Sequence, residues 1–398
     1  VRTPPPAPTR WKTLQTWLAH PVAPYYLLLG AAGLLVALGL VMVLSASGVL
    51  SLRESGDSYA LVKRQLVFVV AGIPLAFLVS RTPVAVIRRF AWPLLLGAVG
   101  LLLLTYVPGL GVVVNGSRNW LDLGGPVNIQ PSEFAKLALV VWGAHVLASK
   151  GSRIADPKQL ALPLLAGAGV IVALTLGQKD LGTAIILATI LLGMLWVAGL
   201  PVWLLGSAAA VGALVVGGFV LSEPYRLARI TSFINPFADE LNTGYQAVAS
   251  LYAFGSGGWW GVGLGASRQK WGRLPEAQTD FIYAVIGEEL GLVGSLAVLA
   301  LFLVVGYAGL RIASGSTDSF VRLAVAGVLT WMLVQAVVNI GATLSVMPIT
   351  GVPLPLVSYG GSAMVIGLCA LGLVLAGARS DPAVRAALTV RRRPAARS

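Results

Sequence analysis

Residues Leu274 to Gly294 read LPEAQTDFIYAVIGEELGLVG and place a carboxylate, Asp280, where a polar segment passes into a long apolar run. A carboxylate at the mouth of a membrane span is costly to keep, which makes Asp280 a functional-site candidate. Asp280, Ala284, Gly287, Gly291 and Gly294 fall at i, i+4, i+7, i+11 and i+14, one stripe of a helix with the acid at its top. Small residues on such a stripe let a neighbouring helix approach closely. Glu288 and Glu289 lie deeper, with Glu289 nearly opposite Asp280, and read as structural or cavity-lining carboxylates.

A second constellation lies in IQPSEFAKLALV. Pro131 suits a first helical position, where its missing N–H has no partner to lose. Glu133 and Lys136, at i and i+3, share a helix face and can pair. Two readings stand: an ion pair that holds a bundle together, or a Lys136 that faces a polar cavity and is held there by Glu133. Both require the pair to face protein or water, not lipid. Three apolar runs begin on one side of the chain's topology, at Pro131, at Asp280 and at Ser358–Ser362. Helix N-termini favour anions. If these three converge with Arg118 and Lys136, they make an anion site beside a carboxylate. Other chemistries lack their residues. There is no Walker A, HExxH or Cys/His pattern, the only histidines are His20 and His145, and Ser358 has no histidine to activate it. No metal site is indicated, and Cys369, the only cysteine, forms no intramolecular disulfide.

Most of the chain that positions these groups belongs in lipid. It is 57% hydrophobic and 11% charged, against roughly 25% charged in a soluble domain. Its net charge of +13 collects in loops, which points to topology and anionic headgroups, and no basic cluster interleaved with aromatics suggests nucleic acid. Ten apolar runs stand out, near 25–47, 64–80, 91–107, 132–149, 161–176, 181–198, 203–221, 281–310, 321–345 and 359–377. The expected fold is an all-α polytopic membrane protein of ten transmembrane helices. The run at 161–176 is short and interrupted by Pro163, and the first run reads as a retained span. Residues 1–22 are expected to form a cytoplasmic arm, disordered over its opening VRTPPPAPTR, with 23–380 the membrane domain and 381–398 a basic cytoplasmic tail.

Basic residues orient this scheme with both termini in the cytoplasm. Arg81, Arg88, Arg89, Lys150, Arg153, Lys158, Arg311 and the tail arginines all fall inside. Arg118, Lys136, Lys179, Arg226, Arg229, Arg268, Lys270 and Arg273 break the bias by lying on or near the outer side, where they touch headgroups or have work to do. Two outer segments, 108–131 and 222–280, are long enough to build a site. The second alternates apolar stretches with Gly-rich turns and should pack on the membrane surface as short helices. No internal repeat is visible, which counts against an inverted-repeat transporter.

Four ordered motifs resemble those of the SEDS family (shape, elongation, division and sporulation), across nearly the whole chain. NGSRNWLDLG followed by IQPSEFAKLALV is similar to the family's outer-loop and fourth-span signature. Gln178–Ala184, QKDLGTA, resembles QPDxGTA, with Lys179 in place of the usual proline. LPEAQTDFIYAVIGEELGLVG matches the motif around the family's essential aspartate, and PITGVPLPLVSYGGSA, Pro348–Ala363, its C-terminal signature. The stretch LGASRQKWGRLPEAQTDF is nearer the division branch, FtsW, and GVPLPLVSYGGSA nearer the elongation branch, RodA; the division branch is favoured.

The resemblance implies ten spans with the large outer loop between the seventh and eighth. It implies a peptidoglycan glycosyltransferase that polymerises lipid II at the outer face of the bacterial cytoplasmic membrane, with inversion at the sugar. Asp280 would be the base. Arg118, Glu133, Lys136, Gln130, Ser132, Gln278 and Ser358 would bind substrate, with Arg118, Lys136 and nearby helix N-termini on the pyrophosphate. No cofactor is firmly implied, though a divalent cation, Mg or Mn, could assist as a Lewis acid. Expected partners are a class B penicillin-binding protein transpeptidase and the membrane proteins of the divisome or elongasome. A lipid II flippase and a non-catalytic scaffold are the competing readings.

Overall fold

The computed structural model describes residue 16 and residues 18–114, 116–122, 124, 128–151, 165–221, 233–240 and 242–390. Pro163, Arg153, Lys158, Arg226, Arg229, most of the N-terminal arm and the last tail arginines lie outside the described residues. The order of elements is α1 (Ala23–Ser55), α2 (Ala60–Arg81), α3 (Val84–Arg89), α4 (Ala91–Leu104), β1 (Gly111–Val114), β2 (Ser117–Leu121), α5 (Pro131–Lys150), then a π turn (Leu165–Gly169) leading into α6 (Val170–Gly177). There follow α7 (Leu181–Val197), α8 (Val202–Leu221), α9 (Tyr245–Gly257), α10 (Ile282–Gly315), α11 (Ser319–Thr343), α12 (Gly361–Ser380) and α13 (Pro382–Val390). Single 3-10 turns stand at Pro236–Asp239 and Gln269–Trp271.

Each of the ten apolar runs lies on one of these helices, the run at 161–176 only in its described part. Six of the helices, α1, α2, α8, α10, α11 and α12, are long and apolar enough to cross a membrane. Three more, Ala91–Leu104, Ala166–Gly177 and Leu181–Val197, are apolar but shorter. The chain is a polytopic, helical membrane protein. The loop expected at 108–131 instead contains an antiparallel hairpin, β1–β2, with Gly111 opposite Leu121 and an irregularity between Val112 and Val114. Its alternation is too short and too rich in glycine to announce itself as strands.

Helices differ sharply in what surrounds them. Among the residues of α8 only Val220 is buried, so apolar side chains project on all sides as lipid requires. On α5, by contrast, Pro131–Glu133, Ala135, Lys136 and Ala138–Ala144 are all buried. It is a central helix, packed by α4, α7, α11 and α12. A helix sealed by protein can carry an ionised pair that lipid would expel.

Helix α10 is not one straight rod. Its 34 residues would span about 51 Å at 1.5 Å per residue. Yet α11, which starts three residues after α10 ends, reaches back to α10's first residues within 20 residues. Asn339 Nδ2 donates to the Asp280 carbonyl at 2.8 Å, only about 30 Å along α11 from Ser319. The excess is absorbed at Gly291, whose φ of 69° and ψ of −164° break the helix. The stripe expected from Asp280 to Gly294 is therefore interrupted: a continuous pattern of small residues hid a residue that leaves the helical region. Gly287 does allow close packing, against Phe254 and Gly257 of α9.

The break is healed by the loop that precedes it. In an unbroken helix Leu292 N and Val293 N would donate to the carbonyls of Glu288 and Glu289. Instead those N–H groups donate to Gly258 O (2.9 Å) and Trp259 O (3.2 Å), while the two carbonyls accept from Val262 N (2.9 Å) and Gly263 N (3.1 Å). These four freed groups all find partners, as non-helical backbone at a membrane's edge demands. Gly261 must be glycine here, since a side chain would collide with the Glu289 carbonyl and its φ is 79°.

Candidate active site

Asp280 lies just before α10, one residue ahead of the capping residue Phe281, and not in the first turn as its position in the apolar run suggested. It is half-buried. A Cβ added at Gly351, whose φ is 70°, would stand 3.6 Å from Asp280 Oδ2, so the carboxylate lies over a glycine turn of the 344–360 segment. The backbone around the acid is clamped. Asn339 Nδ2 donates to both the Asp280 and the Val352 carbonyls at 2.8 Å, joining the acid to that turn. Ser358 Oγ donates to the Thr279 carbonyl at 2.6 Å and accepts from Leu354 N at 2.8 Å. Tyr359 N donates to the Gln278 carbonyl at 2.9 Å.

The start of α12 is bracketed in turn by Gln65 of α2, which is fully buried. Gln65 Nε2 donates to the Ser358 carbonyl at 3.2 Å and Gln65 Oε1 accepts from Gly360 N at 3.1 Å. Beside this bracket the Tyr359 phenol is hydrogen-bonded with the Arg64 side chain. Gln130, the residue capping α5, donates its N–H to Ser362 Oγ at 3.3 Å. The starts of α5, α10 and α12 thus meet at one end of the bundle.

The QKDLGTA motif links the hairpin to this end. Asp180 caps α7, accepting from Thr183 N (3.0 Å), Thr183 Oγ1 (2.9 Å) and Asn119 Nδ2 of β2 (2.8 Å). Arg118 N donates to the Gln178 carbonyl at 3.0 Å, leaving the Arg118 side chain exposed on the hairpin. Gly182 packs so closely on Thr350 that a side chain would collide with its carbonyl. The contacts therefore run without a gap from hairpin to α7, to the 350–352 turn, to Asp280. Lys179 holds a φ of 63°, a left-handed conformation closed to proline, so this turn is built differently from a prolyl one.

The Glu133–Lys136 pair forms at 2.8 Å with both side chains almost wholly buried. Lys136 Nζ also donates to Gln335 Oε1 at 3.0 Å and sits 5.0 Å from the Trp331 ring. Gln335 Nε2 then donates to the Pro353 carbonyl at 2.8 Å. Glu133, Gln335 and Ser358 line a cavity of about 20 Å³, room for about one water molecule. Ser132 Oγ is buried nearby without a hydrogen-bond partner. Of the sequence-derived site residues, Asp280, Gln278 and Ser358 come together through the Ser358–Thr279 and Tyr359–Gln278 bonds, and Gln130, Ser132 and Glu133 adjoin them at the start of α5. Lys136 lies behind, sealed from solvent, and Arg118 stands apart on the hairpin. Gln65, Asn339 and Asp180 complete the framework and were not singled out from the sequence. Asn339 is a polar residue within an apolar run, and Gln65 and Asp180 stand at the edges of such runs beside other polar residues, the one signal that could have marked them.

A profile of the cell cycle protein family of FtsW, RodA and SpoVE matches residues 25–381. The chain is 40% identical to the probable peptidoglycan glycosyltransferase FtsW of Mycobacterium tuberculosis over 374 residues, 94% of this chain and 71% of that one. It is 42% identical to the protein of the same name from Nitrosococcus halophilus, covering 87% and 90%. It is 39% identical to stage V sporulation protein E of Bacillus subtilis, covering 86% and 93%. Among solved structures it superposes on a chain of a peptidoglycan synthase complex that coordinates polymerization and crosslinking, with a TM-score of 0.73 at 32% identity, covering 89% and 97%. It superposes likewise on the rod shape determining protein RodA of Thermus thermophilus, with a TM-score of 0.65 at 31% identity, covering 92% and 98%. The chain belongs to the FtsW/RodA/SpoVE family, the SEDS glycosyltransferases of peptidoglycan.

Proposed function

We propose that this protein polymerises lipid II and that Asp280 is the general base of the transfer. The 4-hydroxyl of a GlcNAc attacks the anomeric carbon of the MurNAc at the end of the growing chain. The new bond forms from oxygen to that carbon as the bond to undecaprenyl pyrophosphate breaks, so the configuration inverts. Asp280 accepts the hydroxyl proton and the pyrophosphate leaves with the electron pair. The observation that carries this reading is the clamping of the Asp280 backbone by Asn339 and by the Ser358–Thr279 bond. A base held within hydrogen-bond reach of its proton is worth more than a mobile one.

The remaining candidates divide by exposure. We assign Arg118, exposed, and Gln130 and Gln278, half-buried, to contact with the pyrophosphate or sugars, helped by the starts of α5 and α12. Glu133, Lys136, Ser132 and Ser358 are buried, and we assign them to holding that surface in place. Among the described residues no group of three or more His, Cys, Asp or Glu side chains could hold a metal. A magnesium ion brought with the pyrophosphate would be held mainly by the phosphates and water, on the leaving side and away from the base. Such an ion would supply charge neutralisation on the leaving group.

The topology we infer has ten crossings of the bacterial cytoplasmic membrane, both termini in the cytoplasm and the 222–280 segment outside, as the basic residues segregate. The division branch is favoured by the FtsW relatives. A class B penicillin-binding protein is the expected partner, a reading supported by the synthase complex that this chain resembles. Purified protein supplied with lipid II, with and without such a partner, should yield glycan polymer. Movement of lipid II across liposomes without polymer would favour a flippase instead.

A further inference from the structure

The 265–272 turn is held on α10 by two carboxylates that the mechanism does not use. Glu288 accepts from Arg268 N at 2.9 Å, from Gln269 N at 3.4 Å and from Ser267 Oγ. It thereby sits at the start of the Gln269–Trp271 turn, where free N–H groups favour an anion. Glu289 accepts from Lys270 Nζ at 3.0 Å, from Ser267 N at 3.2 Å and from Ser45 Oγ of α1 at 2.7 Å. Lys270, nearly buried, also donates to the Gly265 carbonyl at 2.7 Å and to Ser45 Oγ at 3.0 Å.

Two adjacent acids on a helix point to different sides, and these two seize successive residues of one turn. Beyond that turn the chain leads directly to the acid. Leu274 N donates to the Gln269 carbonyl at 2.9 Å, Leu274 and Ala277 are buried, and the turn at Glu276 closes on Thr279 N and Phe281 N at 3.1 Å each. Asp280 therefore stands between two anchors, Asn339 and Ser358 on one side and the carboxylate-held turn on the other. An apolar side chain at 288 or 289 would pack this bundle, but it could not order the N–H groups of 267–269.

We propose that Glu288 and Glu289 are positioning residues for Asp280, acting through the turn 265–272 that their carboxylates lock onto the broken end of α10. The proposal rests on Asp280 being the base. A tight joint is needed because a misplacement of about 1 Å at a reacting group can cost about a hundredfold in rate. Glu288 has no cationic partner in the joint, so Glu288→Gln tests it without stranding a charge. Glu289→Gln alone would leave Lys270 buried and unpaired, so it is combined with Lys270→Met, which removes both charges together.

Three readouts separate the outcomes. Glu288→Gln and the Lys270→Met/Glu289→Gln pair should remain monodisperse and should lower kcat about a hundredfold, with KM for lipid II within about threefold of the parent. Trypsin, mapped by mass spectrometry, should cut after Lys270 in Glu288→Gln and spare it in the parent. Lys270→Arg, which keeps the ion pair, should retain most of the rate. A released turn with parental kcat would overturn the proposal. So would a seated turn with a raised KM, since the carboxylates would then serve substrate binding. Parental polymerisation by Asp280→Asn would sink the base assignment itself, a separate failure.

Discussion

Among the described residues two buried lysine–glutamate pairs hold this molecule, and they are built on opposite plans. Lys136 and Glu133 are neighbours on one turn of α5, 2.8 Å apart, and their pairing follows from a three-residue spacing. Lys270 and Glu289 meet at 3.0 Å across 19 residues, with Ser45 of α1 as a third member. The first is a pair inside a helix, extended by Gln335 to the Pro353 carbonyl. The second is a joint between a loop and a broken helix. Both reach toward Asp280 from different sides, one beneath the 350–358 segment and one behind the 265–272 turn. A buried charge pair in this fold is thus a fastening, and what it fastens decides its consequence.

Removing single charges sharpens that contrast. Lys136→Met strands Glu133 in a sealed interior and should destabilise by about 3–5 kcal/mol. Lys270→Met should cost less, about 1–3 kcal/mol, because Glu289 keeps Ser45 Oγ and Ser267 N as donors. Thermal unfolding in detergent, followed by tryptophan fluorescence, ranks the two. The reverse order would mean that the loop joint is the stronger fastening. The Glu133→Gln/Lys136→Met pair should restore most of the stability, and its activity then tells whether Lys136 also meets substrate.

Asn339→Ala tests the bracket that both fastenings support. It removes two hydrogen bonds, about 2 kcal/mol in total at about 1 kcal/mol each, and should lower polymerisation about a hundredfold with little change in lipid II affinity. A parental rate would show that the Asp280 backbone needs no tie to the 350–352 turn. The smallest effect is expected at Lys179, an exposed lysine with a left-handed backbone. Lys179→Gly relieves a left-handed residue and should stabilise by up to about 1 kcal/mol in the same melt.

The sequence disclosed what lipid and local spacing control. The apolar runs became helices wherever their residues are described, because backbone in a membrane must satisfy itself, and the i, i+3 spacing of Glu133 and Lys136 became a real pair. The neighbourhood of Asp280, Gln278 and Ser358 was legible through motif resemblance. Contacts made at long range were not. The stretch GEELGLVG around Gly291 reads as an uninterrupted helix, since glycine tolerates both helical and left-handed backbone. Glu288 and Glu289 read as deep carboxylates because the turn that satisfies them lies about 20 residues earlier and leaves no periodic trace. Gln65 and Asn339 are single amides in apolar helices, and only the fold reveals that each clamps two backbone groups. The contact of Arg64 with Tyr359 is likewise made across the fold, and the placing of basic residues along the chain does not announce it.

The central claim is that a clamped Asp280 takes the proton from the attacking sugar hydroxyl. Asp280→Asn preserves size and hydrogen bonding but cannot accept that proton in the same way. Purified with its partner and supplied with lipid II, the variant should bind substrate as the parent does and polymerise about a hundredfold to ten-thousandfold more slowly. Polymer formed at the parental rate across neutral pH would contradict the account.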